Sequence, residues 1–270
     1  MISIEEYVNE VSKEQKAKLL KRLEKYKDGE DTFNLKINKD TNLNIPKVIE
    51  FPNDIKELKH IINNKLAKNY KSIDLNDVDI TKIKNLTGLF KDYKFLEEIK
   101  IETWDVSNVK GMGEMFSGCA SLKKINITSW DISNVKNMAS MFSNCTSLEN
   151  INLSSFKPKK LINTAYMFNK CVNLKSIGDL SNWDVTSIQS MPFMFNNCHK
   201  LEEIGDVSKW KFNDLKYIYN MFSGCKSLKK LDCENWNVTP KTIMTNMFAG
   251  CSNLEKLPSW YNKPEEEEKY

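Results

Sequence analysis

Residues 104–127 read Trp104-Asp105-Val106-Ser107-Asn108-Val109-Lys110-Gly111-Met112-Gly113-Glu114-Met115-Phe116-Ser117-Gly118-Cys119-Ala120-Ser121-Leu122-Lys123-Lys124-Ile125-Asn126-Ile127. The same order of residue types recurs along most of the chain. Phe116 belongs to a series of Phe90, Phe116, Phe142, Phe168, Phe195, Phe222 and Phe248, spaced by 26, 26, 26, 27, 27 and 26 residues. Counting each Phe as zero, position −4 holds Leu86, Met112, Met138, Thr164, Met191, Ile218 and Met244. Position −1 is Leu89 and then Met. Position +3 is Tyr93, then Cys119, Cys145, Cys171, Cys198, Cys225 and Cys251. Position +6 is always Leu, and +9 is Ile or Leu, from Ile99 to Leu257.

Twelve residues before each Phe stands an aromatic residue or, in the first copy, Val78. All six Trp occupy this aromatic position: Trp104, Trp130, Trp183, Trp210, Trp236 and Trp260. The two 27-residue copies carry their extra residue before it, in Ile177-Gly178-Asp179-Leu180 and Ile204-Gly205-Asp206-Val207. Insertion is thus confined to one corner of the unit.

Two periods coexist. Positions −4, −1, 0 and +3 follow the i, i+3, i+4, i+7 spacing of one helix face. Ser107-Asn108 and Ser133-Asn134 precede it as candidate caps, with Asp105 and Asp131 near the expected helix N-termini. Positions +9 and +11 alternate with a polar residue, as in a short half-buried strand. Ile73-Asp74-Leu75 extends that strand pattern upstream. The expected fold is an α/β repeat solenoid of the leucine-rich-repeat kind. It has short parallel strands on one face, one short helix per repeat and an N-terminal helical cap. A unit of this size cannot bury its apolar face alone, so the units must stack.

The expected organisation is a cap over residues 1–66, a solenoid over 67–260 and an acidic tail over 261–270. The cap comprises an amphipathic helix over 4–26, a strand over 33–37 and a helix from Asp54 to Leu66, opened by Pro52-Asn53. After Trp260 come Tyr261-Asn262-Lys263-Pro264, the run Glu265 to Glu268 and Lys269-Tyr270. That end reads as weakly capped, and self-association is one expected way to cover it.

At this point the unit resembles the BspA-like leucine-rich repeat of bacterial surface proteins, above all the 26-residue variety of mycoplasma lipoproteins. Clear copies cover residues 85–260. The resemblance implies a right-handed solenoid outside the cell, used in adhesion or protein binding, with no catalytic residues. A lipoprotein signal and Cys anchor, which the resemblance leads one to expect, are not read in residues 1–270. The third repeat reads Phe156-Lys157-Pro158-Lys159-Lys160-Leu161 where Trp-Asp-Val-Ser-Asn-Val is expected.

Composition narrows the function. Net charge is +4, and Arg22 is the one Arg among 40 basic residues, against 36 acidic ones. Nucleic-acid readout leans on Arg forks, so no nucleic-acid partner is expected. The two His, His60 and His199, leave little for His-based metal sites or triads. The seven Cys are a repeat column plus Cys233, a strand position, and read as buried reduced thiols rather than zinc ligands. No phosphate-binding glycine loop or nucleophile-elbow motif is present. No enzyme activity, cofactor or metal is therefore expected. No apolar run is long enough to span a membrane. The start Met1-Ile2-Ser3-Ile4-Glu5-Glu6-Tyr7 lacks the basic and apolar regions of an uncleaved signal, though a processed chain would read the same.

Position +7 alternates in sign: Glu97, Lys123, Glu149, Lys175, Glu202, Lys229, Glu255. Stacked coils would turn this column into an ion-pair ladder. The candidate ligand-binding residues are the outward strand-face positions Lys124, Asn126, Asn150, Asn152, Ser176, Glu203, Lys230 and Asp232, with the cluster Lys157, Lys159 and Lys160. The expected partner is a protein or host-surface matrix ligand, with the cell surface or outside as location. The alternative is an intracellular scaffold or assembly module.

Overall fold

A run of tight turns, rather than a helix, brings positions −4, −1, 0 and +3 to one side. The structure, a computed structural model, describes residues 50–261. In the copy around Phe116, the amide of Met115 donates to the carbonyl of Met112, that of Cys119 to Phe116, and that of Leu122 to Cys119. Each is the i to i+3 bond of a β-turn. The turns need a left-handed residue, and two recur in every coil. Position −2 is Gly88, Glu114, Ser140, Tyr166, Phe193, Asn220 and Asn246, with φ between 53° and 64°. Position +2 runs from Asp92 to Gly250, with φ between 58° and 77°. A helix cannot continue through such residues.

The structure therefore corrects the expectation of one short helix per repeat. Apolar residues three apart span a tight turn and point inward together, which reproduces helical spacing without a helix. Ser107 and Ser133 are not helix caps either. Their amides donate to the carboxylates of Asp105 and Asp131, at 3.0 and 2.9 Å. These are Asx-turns at a corner.

Coils are joined by backbone bonds in two directions. From −4 to +2, alternate amides donate forward: Met112 to Asn137, Glu114 to Ala139, Phe116 to Met141, Gly118 to Ser143. At −6 and +7 they donate backward, as Lys136 does to Lys110 and Lys123 to Glu97. A parallel bridge column along −5 links Asn85, Gly111, Asn137, Asn163, Ser190, Tyr217 and Ile243.

The expected parallel strands are present in the first coils. β1 (Ser72–Asp74), β2 (Glu98–Lys100) and β3 (Lys124–Ile125) form one sheet in that order. Ile73 is in register with Ile99, and Ile99 with Ile125. Past β3 the column continues as the single bridge Asn150–Ser176. The two inserted corners follow, with Gly178 and Gly205 at φ of 78° and 80°. A left-handed residue there breaks the extended run.

Of the segment expected to form the cap, the structure describes α1 (Ile55–Leu66), the one helix among the described residues. Asp54 caps it by accepting from the amides of Lys56 and Glu57. Glu57 in turn accepts from the amide of Asn53, a reciprocal arrangement akin to a capping box. Leu58 and Ile62, one turn apart, are fully buried in the same core as the coils. The segments 4–26 and 33–37 lie outside the described residues, as does the tail beyond Tyr261.

The core is a set of columns. Phe90, Phe116, Phe142, Phe168, Phe195, Phe222 and Phe248 form a continuous stack, with centroids 5.1–5.9 Å apart and rings within 13° of parallel. Every Trp Nε1–H donates to a carbonyl of the coil before, from Trp104 to Leu75 through Trp260 to Cys233. A buried indole needs such a partner. Phe156, in the divergent third repeat, fills the same corner without one and is fully buried. At the last coil the ring of Tyr261 stands edge-on over Phe248 at 5.0 Å.

Candidate binding surface

Each cysteine of the column donates its thiol to the carbonyl of the Phe one coil back, as Cys119 does to Phe90 at 3.0 Å and Cys171 to Phe142 at 3.0 Å. All seven cysteines are free. Burial pushes the thiols of Cys119, Cys171 and Cys233 up to about 12, and Cys251 at the last coil to about 11. A nucleophilic cysteine needs the opposite shift. Among the described residues no three His, Cys, Asp or Glu are grouped to hold a metal ion. No described helix is long and apolar enough to cross a membrane.

The strand-face candidates fall into two outward columns. Lys124, Asn150, Ser176, Glu203 and Lys230 line +8, while Asn126, Asn152 and Asp232 line +10. All are exposed except Ser176, which is half-buried. Several are already engaged. The side-chain oxygens of Asn126 and Asn152 accept from the amides of Thr128 and Ser154, and Ser176 Oγ accepts from Gly178. These side chains shape their own corner. Lys230 lies 4.0 Å from Glu255. Lys124, Glu203 and Asp232 form no ion pair among the described residues, so they are the charged candidates freest to meet a ligand.

The charge column is paired in part. Lys123 and Lys175 reach Glu97 and Glu149 at 2.7 Å each. Lys71, one coil upstream in the same register, adds a second contact to Glu97 at 3.3 Å. Among the described residues no Glu202–Lys229 or Lys229–Glu255 ion pair forms. The hydrogen bond from Lys123, then that from Lys71, lowers the Glu97 pKa, and Lys175 does the same for Glu149.

Lys157, Lys159 and Lys160 are exposed, and Lys160 donates to Asn134 Oδ1 at 2.7 Å. Pro158 folds inward between them, and Leu161 just after them. Lys159 and Lys160 line an open hollow with Lys136, Ile162, Gln189 and Asp214.

The sequence reading missed an aromatic surface beside that hollow. Tyr166 stacks on Phe193 at 4.7 Å, Phe193 meets Tyr219 edge-on at 5.3 Å, and Tyr219 meets Tyr217 at 6.3 Å. Tyr166, Tyr217, Ile162 and Ile243 are 37–50% exposed. The available signal was variation within a column. Tyr166 and Phe193 stand at −2, where the other coils carry Gly, Glu, Ser or Asn.

The family model described as "Mycoplasma protein of unknown function, DUF285" matches residues 56–178 and again 151–261. No sequence among the curated proteins matches the chain. Two solved structures are similar. A leucine-rich repeat protein from Eubacterium ventriosum shares 22% identity at a TM-score of 0.47, over 71% of this chain and 45% of that one. A leucine-rich repeat protein from Bacteroides ovatus shares 17% identity at a TM-score of 0.21, over 70% and 67%. The chain thus spans under half the length of the first.

Proposed function

Since the chain belongs to the repeat family described as a Mycoplasma protein of unknown function, DUF285, a BspA-like family, we propose that it is a non-enzymatic protein-binding module. In this reading it sits at the cell surface or outside and adheres to a protein or host matrix ligand. The observation that carries the reading is the regular display of outward columns on a stacked core. Lys124, Glu203 and Lys230 project along one such column, each in a different coil. Solenoids use extended surfaces of this kind to bind partners. The link from family to adhesion is by analogy.

The test is binding of the full chain to a panel of immobilised extracellular matrix proteins, with Lys124→Glu/Lys230→Glu as the comparison. Saturable binding that weakens at least about tenfold in the double variant is expected for a contact carried by those charges. Absence of saturable binding to every member of the panel would remove the adhesion reading. The seven free cysteines favour a second reading, an intracellular scaffold or assembly module. Protease treatment of intact source cells separates the two. Digestion of the protein supports surface display, and full protection supports the scaffold.

A further inference from the structure

We propose that the aromatic surface around Tyr166, Phe193 and Tyr219, with the lysine-lined hollow beside it, is the docking site for an acidic polypeptide segment that carries apolar side chains. This deepens the protein-binding reading above and rests on it, but it moves the contact from the strand face to the turn face.

Three observations converge. First, four rings from three successive coils form an unbroken chain of contacts that is left partly in water. The exposed Ile162 and Ile243 lie in the same coils or the next one. An exposed apolar patch rimmed by polar residues marks an interaction surface.

Second, two of these rings sit where the backbone disfavours them. Tyr166 and Phe193 have φ of 59° and 56°. Bulky side chains rarely adopt that conformation, and it persists where the surroundings enforce it. The same position holds Gly88, Asn220 and Asn246 in three other coils, residues that tolerate the left-handed region better, and Glu114 and Ser140 in the remaining two. Folding alone favours those smaller residues here. A pair of aromatics that raises strain and stays partly in water, Tyr166 exposed and Phe193 half-buried, calls for another use.

Third, the charge around the patch is one-sided. Lys136, Lys159 and Lys160 line the adjoining hollow with Ile162 and Gln189, and none of the three forms an ion pair among the described residues. The one acid lining the hollow, Asp214, is paired with Lys216 at 3.1 Å. The hollow and the rings are neighbours by register. Gln189 lines the hollow, while the adjacent Ser190 is bridged to Tyr217. A partner that matches both halves brings carboxylates to the lysines and apolar groups to the rings. A polypeptide segment can carry both on one short stretch.

The probes are two labelled synthetic peptides of equal length. One interleaves Asp and Glu with Leu and Trp, and the other replaces each acid with Lys. Heparin serves as an anionic chain without apolar side chains. Binding of the full chain is followed by fluorescence anisotropy, and Tm is measured alongside. The wild type should bind the acidic peptide and not the basic one. Tyr166→Ser/Phe193→Asn installs residues that other coils carry at this position. It should weaken binding at least about tenfold while Tm stays level or rises. Lys159→Glu/Lys160→Glu, which leaves the core untouched, should weaken it similarly.

Equal binding by the wild type and the aromatic variant would overturn the proposal. So would failure of the wild type to bind the acidic peptide, or binding of heparin alone with no effect of the aromatic variant. If matrix-protein binding responds to Lys124→Glu/Lys230→Glu but not to the turn-face variants, this proposal falls and the protein-binding reading stands. If no variant and no probe shows binding, both fall.

Discussion

Thr164 takes the −4 position that Met fills in most coils, and its buried hydroxyl has no hydrogen-bond partner. An unsatisfied buried hydroxyl costs its desolvation. Thr164→Val keeps the shape and removes the group, so it should stabilise the protein by about 1 kcal/mol, read as a raised urea midpoint. Gly205 shows the opposite constraint. It is left-handed, and a Cβ there would lie 2.1 Å from Asp179 Oδ1 and 2.9 Å from Asp179 Cα. Gly205→Ala should cost about 1–3 kcal/mol. The thiols set a pH limit of their own. Their folded pKa values lie above the ordinary 9.0, with Cys119 and Cys171 near 12. For Cys119 and Cys171 the stability this brings is complete below pH 9 and is lost as pH rises from there through about 12. Denaturation midpoints measured from pH 8 upward should fall along that course. A flat profile would mean that the thiols are not held protonated by burial.

At the scale of the element, the columns were legible and the conformation was not. The spacing of Met112, Met115, Phe116 and Cys119 fits a helix and a run of turns equally well. What separates them is the left-handed pair at −2 and +2, and the sequence disguises it. Gly88, Gly118, Gly224 and Gly250 announce one member of it in four coils, but Glu114 adopts it beside Gly118, and Lys170 and Phe193 adopt it in coils where no glycine does. The bonds between coils hold those residues in place, and a single unit does not reveal them. The inward columns were readable because burial restricts residue type at every copy. The aromatic surface was not, because outward positions vary freely and only comparison across copies exposes the exception. The Phe stack is the element whose loss should weigh most. Phe168 touches rings on both sides, so Phe168→Ala should lower stability by about 3–5 kcal/mol. A loss under about 1 kcal/mol in chemical denaturation would mean that the column is not core.

Across the whole molecule, paired charges add to these columns from outside. Lys123 and Lys71 hold the Glu97 carboxyl below its ordinary 4.5, and Glu149 holds the Lys175 ammonium above its ordinary 10.5. The carboxylate contribution is present above pH 4.5 and lost as pH falls through the lowered value. The ammonium contribution is present below pH 10.5 and lost as pH rises further. These groups lie in water, so the effect is small and screened by salt. Lys175→Glu places like charges at Glu149 and Glu202 and should lower Tm at low ionic strength, less so at high. An unchanged Tm at low salt would remove the ladder from the account of stability.

The opposed directions of the bonds between coils bear on how such an array can lengthen. A helix aligns its peptide dipoles, so its ends carry partial charges. Here alternate amides from −4 to +2 point toward the following coil, and those at −6 and +7 toward the preceding one. Two runs of peptide dipoles therefore lie side by side and oppose each other. Each added coil contributes to both runs, so the backward bonds offset part of the forward ones and a long array gathers less end charge than a helix with all its dipoles aligned.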